Sequence, residues 1–115
     1  MPILDVEIVS NTAPAPGLAG RIAQAATDVL GSPSGTLWVK VRQLDPALYA
    51  ENGPDSPRPV FVSVLKRAAP ANAAEEHEKL ASAVAHVIGV ATENVHVTYE
   101  PPAMGRQSFG GRLVE

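Results

Sequence analysis

The chain has no cysteine, which removes disulfides, a thiol nucleophile and zinc–thiolate sites together. It has no basic excess either. Nine Lys and Arg against twelve Asp and Glu give a formal net charge of −3, so there is no electrostatic case for nucleic acid or an anionic membrane. No apolar run reaches the length of a membrane span. Asp5 and Glu7 stand where a secretion signal needs a basic region and an apolar stretch. A soluble cytoplasmic protein is the expectation. The three histidines, His77, His86 and His96, show no metal-ligand spacing. No Ser-His-Asp order, phosphate loop or dinucleotide fingerprint is present, so neither a metal nor a cofactor is expected.

What is present is enough for one core. The chain's 115 residues, 45% of them hydrophobic, predict a single globular domain. Leu4, Val6 and Ile8 alternate with Asp5 and Glu7, which reads as a half-buried strand. Leu18, Ile22, Ala25, Ala26 and Val29 recur at helical spacing, with Gly31 placed as a C-cap. Leu37, Val39 and Val41 alternate with Trp38, Lys40 and Arg42 as a second strand. Asp45 to Pro59 reads as a loop or irregular hairpin, punctuated by Asn52-Gly53-Pro54 and two further prolines.

The same course then repeats. Val60, Val62 and Val64 alternate with Phe61, Ser63 and Leu65, and Lys66-Arg67 closes the strand. Asn72 and Glu75 fit a capping box ahead of a helix whose buried stripe is Leu80, Val84, Val87 and Ile88, ending at Gly89. Val95, Val97 and Tyr99 make a fourth strand. Gly31 and Gly89, Leu37 and Val95, Ile22 and Leu80, and Pro2 and Val60 each stand 58 residues apart. A β-α-β unit is thus written twice, over 2–44 and 60–100, with a tail at 101–115. Right-handed crossovers make the two strands of each unit parallel. The expected fold is an α/β (α+β) two-layer sandwich, a four-stranded sheet with two helices on one face.

The other face shows Asp5, Glu7, Trp38, Lys40, Arg42, Phe61, Ser63, Leu65, His96 and Thr98. Parallel strand pairs are rarely left bare, and aromatics among paired charges read as a subunit interface. An oligomer is expected.

The chain begins Met1-Pro2. Removal of Met1 leaves a secondary amine at the head of a strand, with an ordinary pKa near 8. Desolvation or a nearby cation lowers that value, and a near-neutral amine is a competent general base without histidine. The plainer reading is that Met-Pro simply opens a strand.

The Met1-Pro2 start, the duplicated unit and Gly105-Arg106-Gln107-Ser108-Phe109-Gly110-Gly111 after the last strand together resemble the tautomerase superfamily. That family includes 4-oxalocrotonate tautomerase (4-OT) and macrophage migration inhibitory factor. By length the chain resembles fused two-unit members, which implies homotrimers with sites at subunit interfaces. It also implies a third strand running antiparallel beside the first. The implied activity is cofactor-independent proton transfer on a small carboxylate, with Pro2 as the base. Some relatives instead dehalogenate, hydrate or decarboxylate. The arginine that 4-OT carries on its second strand falls here on His96, and on Trp38 in the first half. Its arginine after the first strand falls on Thr12, and the lysine of migration inhibitory factor on Ser32. The strand-four tyrosine and asparagine of that protein fall on His96 and Thr98, and its tail tryptophan on Phe109.

With those cations gone, the substrate carboxylate needs another. Lys66 and Arg67 are the candidates, and alternation sends only one of them toward Pro2, with Arg67 favoured. A basic pair closing a strand in solvent is the alternative. Arg106 and Arg112 read as surface or interface charges. His96, supplied by an adjacent subunit, is a donor to an enolate oxygen or a structural hydrogen-bond partner. Phe109 and Trp38 are candidate walls of an apolar pocket, and Gln107 a candidate donor. The rival readings are a non-enzymatic binding protein on the same scaffold and a ferredoxin-like small-ligand domain.

Overall fold

The computed structural model describes residues 2–53 and 58–115. Met1, whose removal the amine chemistry requires, and the Pro54–Pro57 part of the long loop lie outside the described residues. The elements are β1 (Ile3–Val9), α1 (Leu18–Leu30), β2 (Trp38–Leu44), β3 (Val60–Leu65), α2 (Ala73–Ile88), β4 (Val95–Tyr99), β5 (Ser108–Phe109) and β6 (Arg112–Leu113). A short 3-10 turn at Pro46–Leu48 lies at the start of the long loop, and another at Thr92–Asn94 precedes β4.

The main sheet has the order β2-β1-β3-β4. β1 pairs with β2 and β3 with β4 in parallel, while the central pair β1–β3 is antiparallel. The two strands of each β-α-β unit are therefore immediate neighbours. The split order of a ferredoxin-like domain would place a strand of the other half between them. The register also repeats at the spacing of 58. Ile3 faces Trp38 in the first unit as Phe61 faces His96 in the second. Across the centre, Ile3–Leu65 has its counterpart in Glu7–Phe61. The sheet has a pseudo-two-fold axis between β1 and β3, and its two ends are structural copies.

Alternation places Leu4, Val6, Val62 and Val64 on the helix side, each at most 1% exposed. They pack with Ile22 of α1 and Leu80 and Val84 of α2 in one core cluster. Truncating a fully buried leucine such as Leu80 to alanine costs about 2–5 kcal/mol. The two helices differ at their starts. Gly17 caps α1 without a side-chain bond. Asn72 accepts from the Glu75 N–H at 3.2 Å and donates to its carboxylate at 3.0 Å. Both helices end on left-handed glycines, Gly31 and Gly89, where any side chain would be strained. Among the described residues no helix is long and apolar enough to cross a membrane.

The tail is more ordered than its sequence promises. β5 and β6 form a hairpin across Gly110-Gly111. It is fastened to the end of β3, because Ala103 N–H donates to the Lys66 carbonyl at 2.8 Å and Met104 N–H to the Arg67 carbonyl at 3.2 Å.

Candidate active site

Pro2 is buried, and its carbonyl accepts from the Trp38 N–H at 3.0 Å. The antiparallel ladder ends at the Ile3–Leu65 pair, and its register continued by one rung sets Pro2 opposite Lys66. Trp38 is 53% exposed and meets Phe109 of the tail hairpin edge-on, ring centroids 5.1 Å apart. With Gly35 and Thr36 these two rings line an apolar hollow of about 250 Å³. A second hollow, about 290 Å³, brings Gln107 together with Ile3, Leu65, Lys40 and Glu100. The Gln107 side-chain amide donates to the Ser108 carbonyl at 2.8 Å. Strand ends and tail thus gather Pro2, Trp38, Gln107 and Phe109 at one end of the sheet.

The two basic residues at the end of β3 part company. Lys66 turns to the helix side, where its ammonium lies 3.2 and 3.3 Å from the two Glu76 carboxylate oxygens. The Tyr99 hydroxyl donates to the same carboxylate, and His77 stacks on Tyr99 at 4.4 Å. The pair is mostly buried, with side-chain exposures of 21% for Lys66 and 17% for Glu76. Burial first, and then the bond to Glu76, push the Tyr99 phenol well above its ordinary value. Arg67 sits at the bend leaving the sheet and is exposed. Among the described residues no ion pair or hydrogen bond engages its guanidinium.

His96 lies elsewhere. It is exposed on the open face, beside Phe61 at 5.7 Å, on the rung that also holds Glu7. Four residues of strand at about 3.3 Å each separate that rung from Ile3. Within one chain His96 therefore cannot serve Pro2. The first-unit position equivalent to His96 is Trp38, and that one does lie at the Pro2 end. Around His96, Asp5, Glu7 and Arg42 line a shallow hollow of about 300 Å³. Asp5 lies 3.2 Å from the Lys40 ammonium and 3.3 Å from the Arg42 guanidinium, which also pairs with Glu7 at 3.5 Å.

The opposite end of β1 carries a larger cleft of about 530 Å³, lined by Ile8, Val9, Leu18, Val60, Ile88 and others. This is the pseudo-symmetric copy of the Pro2 end, with Val60 in the place of Pro2. The chain runs through that position, so there is no amine there. Among the described residues Arg21 and Arg58 are its charged lining residues, and no carboxylate or imidazole lines it to act as a base.

Sequence reasoning did not single out Glu76 and Tyr99 as partners of Lys66. Comparison of positions 58 apart would have found them. Lys66, Glu76 and Tyr99 align with Ile8, Leu18 and Val41, polar residues against apolar ones, as Arg67 does with Val9 and Glu7 with Leu65.

No family model and no curated protein matches the sequence. Similar folds are found among solved structures. A symmetric trimer of a wild-type fused 4-OT superposes with a TM-score of 0.80 at 19% identity, covering 97% of this chain and 94% of that one. Macrophage migration inhibitory factor from Oncomelania hupensis gives 0.74 at 19% identity, covering 100% and 83%. Malonate semialdehyde decarboxylase gives 0.70 at 21% identity, covering 96% and 92%. Over nearly its whole length, this chain has the fold of the tautomerase superfamily.

Proposed function

We propose that the protein is a cofactor-independent tautomerase, with the Pro2 nitrogen as general base for keto–enol or dienol transfer on a small carboxylate. The observation that carries this reading is the position of Pro2. It is buried at the head of a central strand, and the Trp38 N–H holds its carbonyl. An apolar hollow and the Arg67 guanidinium, without a partner among the described residues, lie at the same end of the sheet. Burial disfavours an ammonium and brings an α-amine toward neutrality, where a base works best at physiological pH. In the proposed reaction the neutral amine takes the proton from an enol oxygen. The electron pair of the O–H bond forms the carbonyl as the C=C π pair is displaced onto the distal carbon, and that pair takes the proton back from the protonated amine to form the C–H bond. Arg67 holds the substrate carboxylate by charge-assisted bonds, and Trp38 and Phe109 hold its apolar part. His96 and Gln107 are proposed as donors to substrate oxygens, His96 reaching the site from a neighbouring subunit of a homotrimer. Lys66 is not proposed as a substrate ligand, because Glu76 already engages it.

A second reading keeps the base and changes the chemistry to decarboxylation, hydration or dehalogenation. The likeness to malonate semialdehyde decarboxylase supports it. A binding protein on the same scaffold is the non-enzymatic alternative.

The test compares processed protein, protein retaining Met1, and Pro2→Ala, in enol–keto conversion of an aryl pyruvate and in decarboxylation of a small 3-oxo acid. A retained Met1 makes the Pro2 nitrogen an amide whose lone pair is delocalised, so that form should be nearly inactive. Pro2→Ala should be weakened, with a primary amine in a looser setting. Equal rates in all three would overturn the enzyme reading.

A further inference from the structure

We propose that Lys66, clamped by Glu76 and Tyr99, is a positioning residue that sets the proton affinity of the Pro2 amine. The proposal rests on the reading of Pro2 as the base. It is carried by a comparison that the molecule makes with itself. Pro2 and Lys66, one rung past the Ile3–Leu65 pair that ends the β1–β3 ladder, have their copy in Val60 and Ile8, the pair at its other end. At the copy, the positions of Lys66, Glu76 and Tyr99 hold Ile8, Leu18 and Val41. Leu18 belongs to the buried core, with Ile8 and Val41 packed against it. Packing alone is thus satisfied by three apolar residues on the same backbone. A mostly buried ion pair is a poor substitute on stability grounds, since desolvating two charges offsets most of their attraction. The polar set occurs only at the end that carries the amine.

The geometry gives the set its role. Directly opposed residues on one face of an antiparallel pair stand about 4.5–5.5 Å apart at Cβ, so the Lys66 side chain starts beside Pro2. Its ammonium is not free to approach or leave, because both Glu76 oxygens hold it and the Tyr99 hydroxyl fixes that carboxylate. A cation held near an amine disfavours protonation of the amine, and the Glu76 carboxylate opposes this. Other charged groups surround the pair. His77 stacks on Tyr99, and Glu75 and Lys79 pair with each other on the exposed side of α2. Glu100 accepts from Ser63, and Asp5 pairs with Lys40 on the open face. Arg67 and Arg106 lie at the end of β3 and in the tail, and Asp28 on the last turns of α1. None of these is altered in the variants below.

The experiment is an NMR titration of the Pro2 amine in processed, 15N-proline-labelled protein, read beside the acidic limb of kcat/KM against pH for an aryl pyruvate. Lys66→Met removes the cation and should raise the amine pKa by on the order of 0.5 to 1 unit. Glu76→Gln leaves the cation uncompensated and should lower it. Lys66→Arg keeps the charge and should restore the wild-type value. Shifts of opposite sign with rescue by arginine establish the role. A purely structural pair predicts lost stability with an unmoved amine pKa, and that result, or shifts of the same sign, overturns it. If Glu76→Gln does not fold, the Met and Arg variants of Lys66 decide alone. The titration reads the amine without needing turnover. An amine pKa that moves as stated while kcat/KM does not follow keeps this inference and removes Pro2 as the base.

Discussion

Trp38 and Phe109 are separated by most of the sequence, yet their rings meet edge to face with centroids 5.1 Å apart. That contact joins the tail hairpin to the strand beside Pro2. Removing the Phe109 ring opens the apolar hollow without touching the core. Phe109→Ala should therefore raise KM for an aryl pyruvate by roughly ten- to a hundredfold, the range for about 1–3 kcal/mol of lost apolar contact. A short alkyl pyruvate should suffer much less. Equal losses on both substrates would mean that the ring only fastens the tail.

Arg67 is proposed to bind the carboxylate. Arg67→Ala should lower kcat/KM by about ten- to more than a hundredfold, as expected for the loss of one charge-assisted bond of roughly 1.5–3 kcal/mol. Thermal stability should be unchanged, because the side chain is exposed and no partner among the described residues holds it. An unaltered kcat/KM would send the search for the cation to Arg106.

The open face of the sheet predicts the assembly. Trp38 and Phe61 are 53% and 36% exposed there, among the charges of Asp5, Glu7, Lys40 and Arg42. Sedimentation at micromolar concentration should give a trimer. Phe61→Asp should dissociate it by placing a new, unpaired carboxylate in the contact. A stable wild-type monomer would remove His96 from the site as well, since His96 can reach Pro2 only from another chain.

The duplicated architecture was legible in the sequence because alternation and helical spacing are local signals, and because one spacing of 58 relates both halves. The turn glycines and the Asn72–Glu75 box were legible for the same reason. The antiparallel placing of β3 beside β1 is a pairing between segments far apart, and it entered only through family resemblance. The tail hairpin was not legible, since two-residue strands show no alternation and are held by backbone bonds to β3 and to Val114. Lys66 and Arg67 could not be assigned from spacing either. Alternation stops where the strand stops, and the partner that decides the matter, Glu76, comes from the facing helix. Trp38 and Phe109 were both legible as candidate pocket walls, but their edge-to-face contact was not, because the tail alone brings the two rings together.

The last prediction uses the alkaline range. The Tyr99 phenol is raised above its ordinary value of about 10 by burial and by donation to Glu76. The folded state therefore holds this proton more tightly than the unfolded chain does. Its contribution to stability is complete below about pH 10 and is lost as pH rises above that value. Tyr99→Phe has no such proton to lose. At about pH 8 the variant should be less stable by about 1 kcal/mol, a hydrogen bond to a carboxylate discounted for partial exposure. At about pH 11 the gap should narrow, because wild type alone has begun to give up the Tyr99 term. Tyr49, raised to about 12 by its bond to Glu51, is common to both proteins and cancels in the difference. Urea unfolding of the two proteins at both pH values measures the gap. A gap that stays constant or widens would show that the Tyr99 proton is not held by the fold, and the clamp on Glu76 would lose its outer member.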